Sequence, residues 1–308
     1  MRDAKILVTG PTGQVATPIT LALARDNEVW GAARFRDPAA AGDLADAGVR
    51  CVPVDLTAGD FGPLPDDFDY VLNLAVIRSG RWTKDMAANG ESAALLMAHC
   101  RKAKAFLHCS SAAVYAGGGP PNNEDAPLGD NHHRLMPTYS LSKIGAEVAV
   151  RAMARHLGLP TTIARLGVPY GDNGGWPAIH LEMILAGQPI PVVAGGPDAS
   201  RFNPIHEEDF VAQIPRLLEI ASVPATTVNW GGDAGVSIQD WCGYLGDLVD
   251  RTPVFVETDE GTIVGTDMDL SRLHELVGPA SVDWRQGLRR MVSVRHPELV
   301  TPSTAAID

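Results

Sequence analysis

The sequence predicts a doubly wound α/β fold, a parallel sheet with helices on both faces, and three observations carry that reading. Short β-branched runs alternate with Ala-rich amphipathic segments through the first half of the chain. These runs are continuously apolar, as strands covered on both faces must be. A glycine-containing turn ends the first of them, where such a sheet opens its ligand crevice.

In chain order, residues 5–9 read as the first strand, 17–25 as the first helix and 28–33 as the second strand. Residues 50–54 and 70–75 supply the third and fourth strands, 87–102 a helix and 105–110 the fifth strand. Pro137 suits the first turn of another helix, and 161–166 read as the next strand. From Gly171 the texture turns to Gly/Pro-rich loops at 171–177 and 187–197, where a lobe leaves the sheet. A helix at 210–221 and a strand at 227–230 bring the chain back, 284–292 form a closing helix, and 301–308 read as a frayed tail. The expected organisation is a dinucleotide-binding domain over 1–170, with a returning segment at about 204–232. A smaller C-terminal substrate-binding lobe takes 171–203 and 233–308.

A chain of 308 residues buries a full core without disulfides or metals. Its 25 Lys and Arg against 37 Asp and Glu give a net charge of −12, which repels phosphate backbones and acidic lipid surfaces. Nucleic acid and membrane are therefore not expected partners. No apolar run reaches the roughly 18 residues of a membrane helix, and the first residues read as a strand rather than a leader, so a cytoplasmic location is expected. Cys51, Cys100, Cys109 and Cys242 lie far apart without a C-x-x-C pair and read as reduced thiols; no metal site is expected.

The turn over residues 9–16 joins the first strand to the first helix. Gly10 permits the tight bend, Gly13 lets backbone N–H groups approach a pyrophosphate, and Ala16 allows close helix–strand packing. Thr12, Gln14 and Val15 belong to the same cradle. At the end of the second strand, Arg34, with Arg36 two residues on, offers a fork for a ribose 2′-phosphate, which favours NADP, with NAD open and Asp37 nearby. Asp55, followed by Leu56, either neighbours the adenine or caps a solvated turn.

Tyr139 and Lys143 stand four apart on the helix after Pro137, so phenol and ammonium share one face. A phenol with its ordinary pKa near 10 is a poor base at neutral pH, and a neighbouring cation favours the phenolate. Tyr139 then serves as a proton shuttle. Ser111, chosen over Ser110, follows the fifth strand at the carboxyl edge of the sheet and holds the substrate oxygen.

With these residues in place, the chain resembles the extended short-chain dehydrogenase/reductases, the NAD-dependent epimerase/dehydratase family. The matching segments are residues 9–16, Asn73-Leu74-Ala75, 111–115, Tyr139 to Lys143, 165–171 and 203–209. The resemblance implies a Rossmann fold and a catalytic triad of Ser111, Tyr139 and Lys143. It also implies coenzyme contacts from Leu74, Ala75, Tyr139 and Lys143, and Asn89 on the helix beneath the site. It further implies a homodimer packing helices 87–102 and 140–157 as a four-helix bundle. Two departures narrow the chemistry. Val168 stands where nucleotide-sugar members often place an Asn that holds the diphosphate, and Ser111-Ala112-Ala113 replaces the Thr-Asp-Glu of the dehydratases. Epimerase and ketoreductase remain as the enzyme readings, acting on a sugar-like or small carbonyl substrate; a non-catalytic NADP-binding sensor is the alternative.

Candidate substrate contacts are Trp82, Trp176, Arg201 and His133. Trp176 stacks on a ring or packs the lobe core. Arg201 clamps an anion or stays solvated, and His133, beside His132, lines the pocket or stays on the surface. His206 reads as a structural tie between lobe and sheet.

Overall fold

The computed structural model describes residues 1–299, so the tail expected at 301–308 lies outside the described residues. The chain opens with strand β1 (Lys5–Thr9), helix α1 (Ala16–Ala24), β2 (Glu28–Ala33), α2 (Pro38–Asp46), β3 (Arg50–Pro53) and β4 (Tyr70–Asn73). It continues with α3 (Trp82–Met86), α4 (Ser92–His99), β5 (Ala105–Ser111), α5 (Tyr139–Leu157), β6 (Thr161–Leu166), β7 (Val168–Gly171), β8 (Gly174–Gly175) and α6 (Trp176–Leu185). After β9 (Ile190–Val192), β10 (Arg201–Phe202) and β11 (Pro204–His206) come α7 (Glu207–Glu219), β12 (Thr226–Trp230), β13 (Val236–Ser237), α8 (Ile238–Val249), β14 (Phe255–Glu257), α9 (Ser271–Leu276) and α10 (Trp284–Arg295).

The main sheet has seven strands in the order β12-β6-β5-β4-β1-β2-β3, and every neighbouring pair is parallel. Its order reverses between β1 and β4, which opens a crevice beyond their carboxyl ends. Successive side chains of a strand point to opposite faces. Accordingly Ile6 and Val8 pack on one layer with Ile19, Leu72 and Phe210, while Leu7 packs on the other with Val71, Phe106 and Ile163. A third apolar cluster lies outside the sheet, where Phe202, Trp241, Leu245 and Met291 join the elements from β7 to α10. No helix of the described residues is long and apolar enough to cross a membrane.

Several boundaries differ from the sequence reading for local reasons. The helix expected over 87–102 is two pieces, a π turn over Ala87–Glu91 and α4, and α3 runs into it from Trp82. The widened turn holds Asn89, whose side chain is engaged by Ile77 and Ser142. Strand β4 stops at Asn73 because the next two N–H groups, of Leu74 and Ala75, donate to Thr9 Oγ1 instead of a neighbouring strand (both 3.1 Å). Helix α7 begins at Glu207, three residues earlier than expected, because the His206 ring accepts from the Glu208 N–H (3.3 Å). Asp37 caps α2, which the Ala- and Gly-rich sequence hid.

Candidate active site

The crevice at the β1/β4 reversal is a cavity of about 1180 Å³. Its floor is pinned by Thr9, whose hydroxyl donates to Asn73 Oδ1 (2.8 Å) while accepting from Leu74 and Ala75. Gly10 crosses this floor with φ +66°, and a Cβ there would stand 3.0 Å from the Ala75 Cα. Only glycine fits both the left-handed backbone and that approach. Gly10, Thr12, Gly13, Gln14 and Val15 line the cavity where α1 begins, and the first N–H groups of a helix have no partner within it. An anion-accepting cradle thus stands open to the cavity, and its residues fit a pyrophosphate.

Arg34, Asp55, Leu56, Leu74 and Ala75 line the same cavity, together with Arg36 and Asp37. Asp37 spends one carboxylate oxygen on the Ala39 and Ala40 N–H groups (3.0 and 3.4 Å), while Arg34 stays exposed. Asp55 accepts from the Thr57 hydroxyl (2.6 Å) and N–H (3.0 Å), and these bonds hold its carboxyl below the usual range. Its turn-capping alternative is therefore realised, on the wall of the cavity.

Ser111, Tyr139 and Lys143 converge on this cavity from β5 and α5. The buried Lys143 ammonium donates to the Cys109 carbonyl (2.8 Å), which fixes the stem of its side chain. Ser111 Oγ accepts from the Ala113 N–H (3.2 Å). Ser110, by contrast, is 2% exposed and gives its proton to Glu147 (2.6 Å), so its hydroxyl is already committed. Glu147, one turn beyond Lys143, is fully buried and accepts from Arg165 through Nε (2.9 Å) and Nη2 (2.8 Å). Arg165 also donates to the Tyr115 hydroxyl (3.1 Å) and the Glu124 carbonyl (2.8 Å). This network fastens α5 to β5 and β6 beneath the site.

The front of α5 has its own anchor. Thr138, with φ +76°, donates its hydroxyl to Asp85 (2.6 Å). Asp85 is fully buried and also accepts from Ser79 and Gly80. Burial works against its ionisation, but the bonds from Ser79, Thr138 and Gly80 outweigh it and hold the carboxyl below the usual range. Ser79 and Gly80 lie in the loop just before α3, but Thr138 comes from 53 residues further on, so local spacing does not signal the role of Asp85.

Of the proposed substrate contacts, Trp176 lines the cavity with its ring 5.2 Å from that of Phe202. Trp82, His133 and Arg201 are not among the lining residues. Trp82 starts α3 and is 50% exposed. His133 points back to the Asp130 carbonyl (2.7 Å). Arg201 donates to the Gly235 carbonyl (2.6 Å) and pairs with Asp267 (3.4 Å), because the bridge from β10 to β13 brings that loop beside it. His132 takes the cavity position instead. It is buried, its ring lies 5.9 Å from that of Tyr139, and burial pushes its pKa down to about 4. His206 stacks edge-on against Tyr170 (5.3 Å), a structural placement. Among the described residues no cluster of His, Cys, Asp or Glu is arranged to hold a metal ion.

Comparison with known proteins adds to this geometry. The profile of the NAD dependent epimerase/dehydratase family matches residues 6–229. A curated relative, the trifunctional UDP-glucose 4,6-dehydratase/UDP-4-keto-6-deoxy-D-glucose 3,5-epimerase/UDP-4-keto-L-rhamnose-reductase RHM2 of Arabidopsis thaliana, is 27% identical over 63% of this chain. The match spans only 30% of the length of that relative. Among solved structures, the UDP-glucuronic acid 4-epimerase of Bacillus cereus, in complex with UDP-glucuronic acid and NAD, superposes with a TM-score of 0.81 at 21% identity, covering 95% of this chain and 99% of that one. The UDP-N-acetylglucosamine 4-epimerase of Methanobrevibacter ruminantium M1 does so with 0.82 at 20% identity, covering 97% and 100%. The profile match over most of the chain, on the same sheet and glycine turn described above, means that the protein belongs to the NAD dependent epimerase/dehydratase family of enzymes.

Proposed function

We propose that the protein is an NAD(P)-dependent epimerase or ketoreductase that moves a hydride at a carbinol or carbonyl carbon of a small substrate. The observation that carries this reading is the convergence of Ser111, Tyr139, Lys143 and the glycine turn on one cavity. When bound, a pyridine dinucleotide supplies the hydride acceptor or donor. In the oxidative direction Tyr139 takes the proton of the substrate hydroxyl, and in the reductive direction it returns one to the carbonyl oxygen. Ser111 holds that oxygen, and Lys143, one turn along α5 from Tyr139, lines the same cavity. Asn89 and Asp85 act as positioning residues for the helix that carries the pair.

Residues 1–170 with about 204–232 serve the coenzyme, and 171–203 with 233–299 shape the substrate side. Exposed Arg34 and Arg36, free of a carboxylate clamp from Asp37, support NADP over NAD, although the Bacillus cereus neighbour was solved with NAD. Leu95 on α4 and Val148 on α5 are 49% and 56% exposed, which supports a homodimer through these helices. The four unbonded cysteines suit a reducing compartment such as the cytoplasm.

The test is near-ultraviolet absorbance. The purified protein is mixed with NADPH or NADH and a panel of keto sugars, aldehydes and ketones, and products are checked for inverted stereocentres. Coenzyme oxidation marks a reductase, and a new stereoisomer with retained coenzyme marks an epimerase. A protein that binds coenzyme but changes no member of the panel, and whose partner binding survives Tyr139→Phe, is a sensor and sinks the catalytic reading.

A further inference from the structure

The cavity is continuous, but its two sides differ in chemistry. The dinucleotide side carries Arg34, Arg36 and the start of α1. The lobe side is walled by Val168, Trp176, Ala178, Ile179, Phe202 and Ile263. Trp176 is held rigid: its ring meets Phe202 at 5.2 Å and Trp241 at 5.8 Å, both edge-on, and His180 at 5.4 Å.

Positive charge is scarce on that wall. Arg295 lines it, yet already pairs with Glu182 (3.5 Å), which itself lines the cavity and also bonds His296 (3.0 Å). Arg201, the cation nearest in sequence to Phe202, is turned to Gly235 and Asp267. Arg78 lines the cavity from the loop after β4, next to Met136, whose sulfur it reaches (3.6 Å). The remaining anion-binding device would be the start of α6, and Pro177 at its second position removes one N–H donor.

We infer that the lobe side receives an apolar, ring-bearing portion of a small ketone or aldehyde and not a nucleoside diphosphate. A diphosphate brings two negative charges to a wall whose six apolar residues supply no cation and whose neighbouring Arg295 is already paired with the Glu182 carboxylate, which leaves those charges poorly compensated. An aromatic or alicyclic ring instead meets apolar surface and the edge or face of a fixed indole. The inference rests on the hydride-transfer reading for the place of the reacting carbon, next to Ser111 and Tyr139.

Calorimetric titration of the Tyr139→Phe protein loaded with NADP or NAD separates the two, since this variant binds ligand without consuming it. The probes are benzylacetone, acetone and UDP-glucose. Benzylacetone is expected to bind at least about tenfold more tightly than acetone, and UDP-glucose more weakly than benzylacetone. Trp176→Ala should weaken benzylacetone about tenfold. Ile179→Glu, at a position 59% exposed and so tolerant of charge, should weaken it similarly; coenzyme affinity should hold in both, which certifies the fold. UDP-glucose binding more tightly than benzylacetone overturns the inference, as does the absence of benzylacetone binding, while coenzyme binding in the same titration leaves the hydride-transfer reading standing. A protein that binds neither coenzyme fails that reading instead.

Discussion

Glu147 gives the sharpest test of what holds the site. It is fully buried and accepts from Ser110, from two nitrogens of Arg165, and from Arg151 at 3.2 Å. Glu147→Ala strands Arg165, itself 2% exposed, with only a phenol and a carbonyl as partners. Removing one member of a buried ion pair costs about 3–5 kcal/mol. Glu147→Gln keeps one acceptor oxygen but loses the carboxylate charge opposite Arg165, and about 2 kcal/mol is expected from the weakened hydrogen bonds to that guanidinium. Urea unfolding at pH 7, followed by both fluorescence and circular dichroism, reads the difference; the two probes must coincide because the lobe has its own core. The charge also gives a pH signature. Burial opposes ionisation of Glu147, but the bonds from Arg165 and Ser110 win and hold its pKa below the usual value. A depressed pKa adds stability above the unfolded value of about 4.3, and that stability is lost as pH falls through the folded value. The gap between wild type and Glu147→Gln should thus stay constant from about pH 7 to 5 and close below about 4. A loss under about 1 kcal/mol for Glu147→Ala, the size of an exposed pair, would refute the argument.

Tyr139→Phe should lower kcat by about two to four decades while coenzyme affinity, measured by fluorescence titration, changes little; full activity would remove the phenol from the mechanism. Arg34→Ala should weaken NADPH about tenfold or more and NADH hardly at all, and equal losses would reject a 2′-phosphate clamp. Gly10→Ala should cost about 1–2 kcal/mol from its left-handed backbone alone, and more from the contact with Ala75, read as a lower melting temperature and weaker coenzyme binding. Burial lowers the pKa of His108 to about 3 and of His132 and His180 to about 4. The unfolded chain protonates them near 6.5, so stability should fall as pH drops below about 6.5, by up to about 4 kcal/mol per unit where all three take up protons only on unfolding. Equal stability at pH 7 and 5 would contradict this.

The parallel sheet is legible because strands covered on both faces leave mostly apolar runs, and Lys5–Thr9, Glu28–Ala33 and Thr161–Leu166 fall where those runs lie, the last interrupted by Arg165. The lobe is not, since β8, β10 and β13 are two residues each and carry no period. Residues that touch the cavity from regular elements or from the turn that directly follows one, Gly10, Ser111, Tyr139 and Lys143, are readable from spacing. Loop residues were harder. Neighbouring His132 and His133 are separated only by which one the turn after Asp130 folds inward, and that choice depends on Ser140, whose hydroxyl accepts the His132 N–H at 3.3 Å. Asp85 and Glu147 gain meaning only from partners brought together by the fold, as with Thr138 from 53 positions away.

The lobe's separate interior has a consequence for how this molecule changes over time. Phe202 and Trp176 pack on Trp241, whereas α5 rests on the sheet through Glu147 and Arg165. On the proposed function, recognition and proton transfer therefore stand on different foundations. Natural selection or a designer can recarve the first while the second keeps its alignment, one substitution at a time.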